Sequence, residues 1–100
     1  MIPFRNPKPQ AAREVLEFDF SARLAAGETL TGVASVAFAV RAGADASPEL
    51  LANGAASVAG ATVLVPVKDG VAGVDYAITV VATTSNAAKR PGLTGLLQVR

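Results

Sequence analysis

The sequence predicts an all-β chain, a two-layer antiparallel sandwich of about seven strands. Three observations carry that expectation. Short stretches have the two-residue period of a strand, with apolar and polar residues alternating from Glu14 to Leu24 and an apolar, β-branched run from Tyr76 to Thr83. Turn residues punctuate the chain between them, as in Ala26-Gly27-Glu28, Asp69-Gly70 and Pro91-Gly92. No long stretch carries a helical period, which favours a Greek-key sandwich over an α/β fold.

Residues 1–12 read as an extended arm and residues 13–100 as a single sandwich domain. Pro3, Pro7 and Pro9 disfavour helix and remove backbone donors, so the arm is extended or polyproline-like. Ile2 and Phe4 are its apolar residues, free to dock on the domain or on a neighbouring subunit. The segment MIPFRNPKPQ has no apolar stretch and does not read as a signal peptide.

Glu14 to Leu24 is the first predicted strand, with Leu16, Phe18, Phe20, Ala22 and Leu24 facing inward. A short turn at Gly27 leads to a second strand from Leu30 to Val40. Its inward residues are Leu30, Ala34, Val36, Phe38 and Val40. The short connection suggests that these two strands form a hairpin. Ser47 to Gly54 fits either one helical turn, with Ser as N-cap and Pro at N1, or a short strand. Ala56–Val58 is a weak strand and Ala61–Val67 a stronger one. Within the latter, Pro66 marks an edge, a bulge or a strand end. Leu93 to Arg100 is the last strand.

Between them lies Asp69–Thr84, the stretch around which the chain is organised. A Gly-rich bend ending at Gly73 feeds a strand whose two faces are both apolar or small, which places it in the centre of a sheet. Tyr76 is the single Tyr and sits where the bend meets the strand. In immunoglobulin-like (Ig-like) sandwiches a Tyr at such a corner buries its ring and returns its hydroxyl to the backbone. Gly73 and Tyr76 are therefore assigned as a structural corner, and the sandwich is expected to be Ig-like.

The composition argues against chemistry. His and Cys are both absent, which removes the commonest general base, the commonest metal ligand and all thiol chemistry. The absence of Cys also suits a reducing setting. No Ser lies in a nucleophile elbow, and the glycines match neither a P-loop nor a dinucleotide fingerprint. Glu17 and Asp19 lie roughly 7 Å apart on one strand face. They read as a solvated face near Arg23 rather than an acid/base pair. Asp69 and Asp75 are too diluted by Val and Ala to form a calcium site. The expectation is no catalytic residue, no cofactor and no metal. A net charge of +1 gives no case for nucleic acid, and no apolar run approaches the roughly 20 residues of a membrane helix.

Two segments carry a resemblance. One is Lys8-Pro9 followed by EVLEFDFSARL (14–24) and Gly27-Glu28-Thr29-Leu30. The other is Gly70-Val71-Ala72-Gly73-Val74-Asp75-Tyr76, followed by Thr83-Thr84-Ser85. Together they resemble a family of small tailed-bacteriophage virion proteins, the fibre-tail adaptor or head–tail region structural proteins. The resemblance implies a virion component assembled in the bacterial host cytoplasm. It would link tail fibres or neighbouring virion proteins, and copies of itself, in a symmetric assembly. A capsid decoration or cement protein would use the same kind of sandwich, and a carbohydrate-binding or adhesion module is the reading from a different class. Partner contacts are expected at Ile2, Phe4, Lys8, Lys89 and Arg90, and deletion of residues 1–10 is expected to weaken assembly but leave the domain folded.

Overall fold

The structure, a computed structural model, describes the backbone of residues 2–3 and the whole of residues 8–100. Its strands are β1 (Ile2–Pro3), β2 (Glu14–Asp19), β3 (Leu30–Ala42), β4 (Ser57–Ala59), β5 (Thr62–Val67), β6 (Asp75–Thr84) and β7 (Gly92–Gln98). They form two sheets, a larger one in the order β1-β7-β6-β3 and a smaller one in the order β2-β5-β4. Every pairing is antiparallel except β1 with β7, which is parallel. Inward side chains of both sheets meet in one core, which includes Leu16, Phe18, Val63, Val65, Tyr76, Ile78, Val80 and Leu97. The result is an all-β sandwich.

β6 is central, between β7 and β3, as its two apolar faces require. Tyr76, Ile78, Val80 and Ala82 point into the core, and the residues between them are half-buried on the outer face. Pro66 fits in β5 because β4 pairs only with Thr62–Leu64. Beyond that ladder, the Pro66 carbonyl accepts from the Asn53 N–H at 3.1 Å. The missing proline N–H therefore falls on the side away from the β2 ladder.

The first expected strand ends early, at Asp19. The Asp19 carboxylate accepts from the Ser21 N–H at 2.9 Å, a local bond that competes with the ladder. The chain then turns through a short 3-10 segment, Ser21–Arg23. Ala22 is consequently exposed rather than inward, while Phe20 is fully buried. β2 and β3 do not form the expected hairpin: β2 pairs with β5 and β3 with β6, so their connection crosses from one sheet to the other. β3 itself is longer than expected and shifts register in three places. The shift between Val33 and Ser35 exposes Ala34 and turns Val33 onto the core instead.

Ser47–Gly54 resolves as a 3-10 turn, Pro48–Leu51, without a side-chain cap from Ser47. It is followed by a one-residue bridge between Ala52 and Val67. Leu51 seats in the core.

Candidate docking surfaces

The Tyr76 corner is built from two loops. The ring is fully buried, and its hydroxyl accepts from the Val71 N–H at 2.8 Å, five residues upstream. The hydroxyl also donates to the Asp45 carboxylate at 2.7 Å, on the loop between β3 and β4. Asp45 accepts a further bond from the Ser47 N–H at 2.9 Å. Donation from Tyr76, and then from Ser47, holds the Asp45 carboxyl below its ordinary range. Burial and the Asp45 hydrogen bond push the Tyr76 hydroxyl above its own. Gly70, at φ +94°, brings the backbone so close that a Cβ would lie 3.0 Å from both Leu51 and Val99. Gly73 takes φ +86° and its N–H donates to the Val99 carbonyl at 2.8 Å.

Beside this corner is an open cleft of about 180 Å³, lined by Asp45, Ser47, Leu50, Leu51, Asp69, Gly70 and Val71. Among the described residues the exposed large apolar side chains are Leu50 (67%), Val15 (57%) and Val71 (40%). Two of these three stand at this one cleft. Asp45 and Leu50 carry no local signal of this place, because each reaches the corner through a loop distant from it in the chain.

Lys8 has a different place from the one expected. Its side chain is fully buried within the chain. The ammonium donates to the carbonyls of Pro9 and Gln10 at 3.0 Å each, and to that of Asp69 at 2.6 Å. Three donors meet three acceptors, the condition under which a buried ammonium is tolerated. Burial still lowers its pKa, against the opposing pull of the Glu14 and Asp69 carboxylates. The Lys8 N–H donates to the Gln98 carbonyl at 2.7 Å and its own carbonyl accepts from Arg100 at 2.8 Å. Lys8 thus lies parallel to the chain end at Val99 and extends the cover that β1 gives to β7. The expected contacts at Ile2 and Phe4 fall outside the described side chains.

At the opposite end of the chain's path, Lys89 and Glu28 pair at 2.7 Å, with the Glu28 side chain only 5% exposed. Glu28 also accepts from the Ala25 N–H at 2.9 Å and from the Thr84 hydroxyl at 2.9 Å. Lys89 donates in addition to the Arg23 carbonyl. These bonds tie the β2–β3 crossing to the β6–β7 loop. The Lys89 hydrogen bond, then that of Ala25, lower the Glu28 pKa from 4.5 to about 2. Lys89 is therefore engaged within the molecule, while Arg90 is exposed. Glu17 and Asp19 lie on the exposed face of β2. No group of three or more acidic side chains is placed to hold a metal ion among the described residues.

A family model described as podophage GP4 fiber-tail adaptor protein gp77 matches residues 8–90. The chain belongs to that family. No curated protein and no solved structure matches it. The fibre-tail adaptor match begins at Lys8 and takes in the Glu28–Lys89 clasp, Gly73 and Tyr76, and it closes at Arg90, before β7. The chain is therefore a phage structural adaptor with an all-β fold, a virion component that binds other virion proteins.

Proposed function

We propose that this adaptor joins a tail fibre to the tail by presenting the cleft at the tyrosine corner to an apolar side chain of a neighbouring virion protein. The carrying observation is the pair Leu50 and Val71, exposed together beside the Asp45 and Asp69 rim. Exposed apolar side chains gathered at one concavity are the mark of a contact surface, and the acidic rim favours a basic residue beside the inserted group. Arg90 is the expected contact residue left on the surface at the other end. The arm, through Ile2 and Phe4, remains part of the proposal as a second contact.

The strand order supports an Ig-like reading of the scaffold. β2-β5-β4 and β3-β6-β7 follow the B-E-D and C-F-G orders of that architecture, and a corner tyrosine opens the sixth strand. A scaffold of this kind acts by shape and burial. A capsid decoration role and sugar binding are less well supported. The cleft lining has no aromatic ring on which a sugar could stack.

Leu50→Asp tests the reading, since Leu50 is exposed and its loss leaves the core intact. Particles assembled with this variant should lose fibres, whereas Val15→Asp, on another face, should not. Normal fibre content with Leu50→Asp rules the cleft out.

A further inference from the structure

We propose that the Asn53-Gly54 pair, on the loop between the 3-10 turn and β4, is a site of self-modification, at which the chain converts its own asparagine to aspartate and isoaspartate. The chemistry needs no enzyme. The Gly54 nitrogen attacks Asn53 Cγ. The new N–C bond forms as the Cγ–Nδ2 bond breaks, and the Gly54 proton leaves with the side-chain nitrogen as ammonia. Water then opens the five-membered imide. Opening at Cγ gives aspartate; opening at the main-chain carbonyl gives isoaspartate, whose backbone runs through the former side chain. The ring-closing step needs an unencumbered side-chain amide, a main-chain N–H free of hydrogen bonds, and room to close. Asparagine belongs among the thermolabile residues for this kind of reason.

The fold meets all three conditions here. The chain has three asparagines, Asn6, Asn53 and Asn86. Asn6 precedes Pro7, whose nitrogen has no proton to lose. Asn86 is held from several sides. Its Oδ1 accepts from the Ala88 N–H at 3.1 Å, its N–H donates to the Thr84 hydroxyl at 3.1 Å, and its carbonyl accepts from the Lys89 N–H at 3.0 Å. The Asn53 amide side chain makes no hydrogen bond among the described residues, and neither does the Gly54 N–H. Gly54 is exposed at φ +100°, and a Cβ there would meet nothing within 4 Å, so the ring has room. Asp69-Gly70 could close the same ring by losing water. There, however, Lys8 holds the Asp69 carbonyl at 2.6 Å, and Gly70 lies tight against Leu51 and Val99.

The position of the site decides what the change does. Upstream the chain is fixed: the Asn53 N–H donates to the Pro66 carbonyl at 3.1 Å, and Ala52 bridges to Val67. Downstream, residues 54–56 make no main-chain hydrogen bond before β4, which holds to β5 by only three residues. The methylene that isoaspartate adds to the main chain therefore acts on this short strand and loosens it. Either product adds a carboxylate, which takes the net charge from +1 to zero.

The test stores the purified full chain in warm, mildly alkaline buffer, with a second sample unfolded in urea, and maps both with trypsin. Cleavage after Arg41, Lys68 and Lys89 puts Asn53 in residues 42–68, and Asp69 and Asn86 in residues 69–89. Peptide 42–68 should gain the mass of an amide turned to an acid, split into two chromatographic forms, and take a methyl group from an isoaspartyl methyltransferase. Peptide 69–89 from the native chain should do none of these. Asn53 should convert in the native chain at close to its rate in urea, because the fold does not restrain it. Amide exchange across Ser57–Ala59 should quicken in the stored chain. Asn53→Gln should abolish both changes, and when fresh it should melt like the parent, since the replaced amide made no bond. An Asn53 that stays intact in the native chain while converting in urea would overturn the proposal. So would an equal conversion of Asn86, or isoaspartate in peptide 42–68 that survives Asn53→Gln. The reaction does not depend on the corner cleft, so its failure leaves the cleft's test untouched.

Discussion

Tyr76 concentrates the consequences of one side chain. Its hydroxyl is the shared partner of a backbone N–H and a carboxylate from loops on either side of it. Tyr76→Phe keeps the ring and removes both bonds, leaving Val71 and Asp45 to find water. A cost of about 1–3 kcal/mol is expected, read as a lower midpoint in urea unfolding. Glu28 gives the residue-scale pH dependence. Its folded pKa, about 2, lies below the ordinary 4.5. A depressed carboxylate contributes stability above its unfolded pKa and loses it as pH falls toward the folded one. The thermal midpoint should therefore drop between about pH 4.5 and 2, and Glu28→Gln should flatten that part of the profile. An unflattened profile would assign the acid sensitivity to Asp45 and Asp19, whose pKa values are lowered in the same direction. Lys8 is the residue whose surroundings were least legible in the sequence. A lysine on a proline-rich arm was expected to meet a partner, and the three carbonyls that enclose it are brought together by the fold.

At the scale of the element, strand identity was legible and strand partnership was not. Two apolar faces placed β6 correctly as a central strand, because the side chains on its two faces are a local property of the sequence. Nothing in Glu14–Val40 distinguishes a hairpin from a crossing between sheets, since both need only a short connection. The bulge that exposes Ala34 is equally invisible: one extra residue reverses the inward face without changing composition. The bend before β6 makes a sharp element-scale prediction. Gly70→Ala forces a Cβ against Leu51 and Val99 at a backbone angle that L residues avoid. It should destabilise the fold, whereas the same change at Gly54, where a Cβ would meet nothing, should cost only its backbone strain. Equal losses in thermal unfolding would show that the corner relaxes around the added methyl.

For the molecule as a whole, the leading segment is more than a tether. β1 adds to β7, and the Lys8 ammonium reaches the Asp69 carbonyl beside the tyrosine corner. Deleting residues 1–10 should lower the stability of the isolated domain, and deleting 1–7 should lower it less. Denaturant melts of the two truncations check this. If both match the full chain, the three Lys8 bonds add nothing net and the expectation of an independent sandwich stands. The contact pattern is dominated by pairings between strands far apart in sequence, so folding should be slow for this size, on the order of milliseconds to seconds.

The sequence alone determined the all-β class, the central place of β6, the Gly-rich corner and the absence of imidazole and thiol. Each follows from which residue types occur and at what spacing. Tertiary structure alone decided which strands pair, that Lys8 turns inward, that Lys89 clasps Glu28, that Asp45 completes the corner, and that Leu50 stands beside Val71. Those facts depend on meetings between distant parts of the chain. They are set by packing and hydrogen-bond satisfaction across the whole core, which no local pattern encodes.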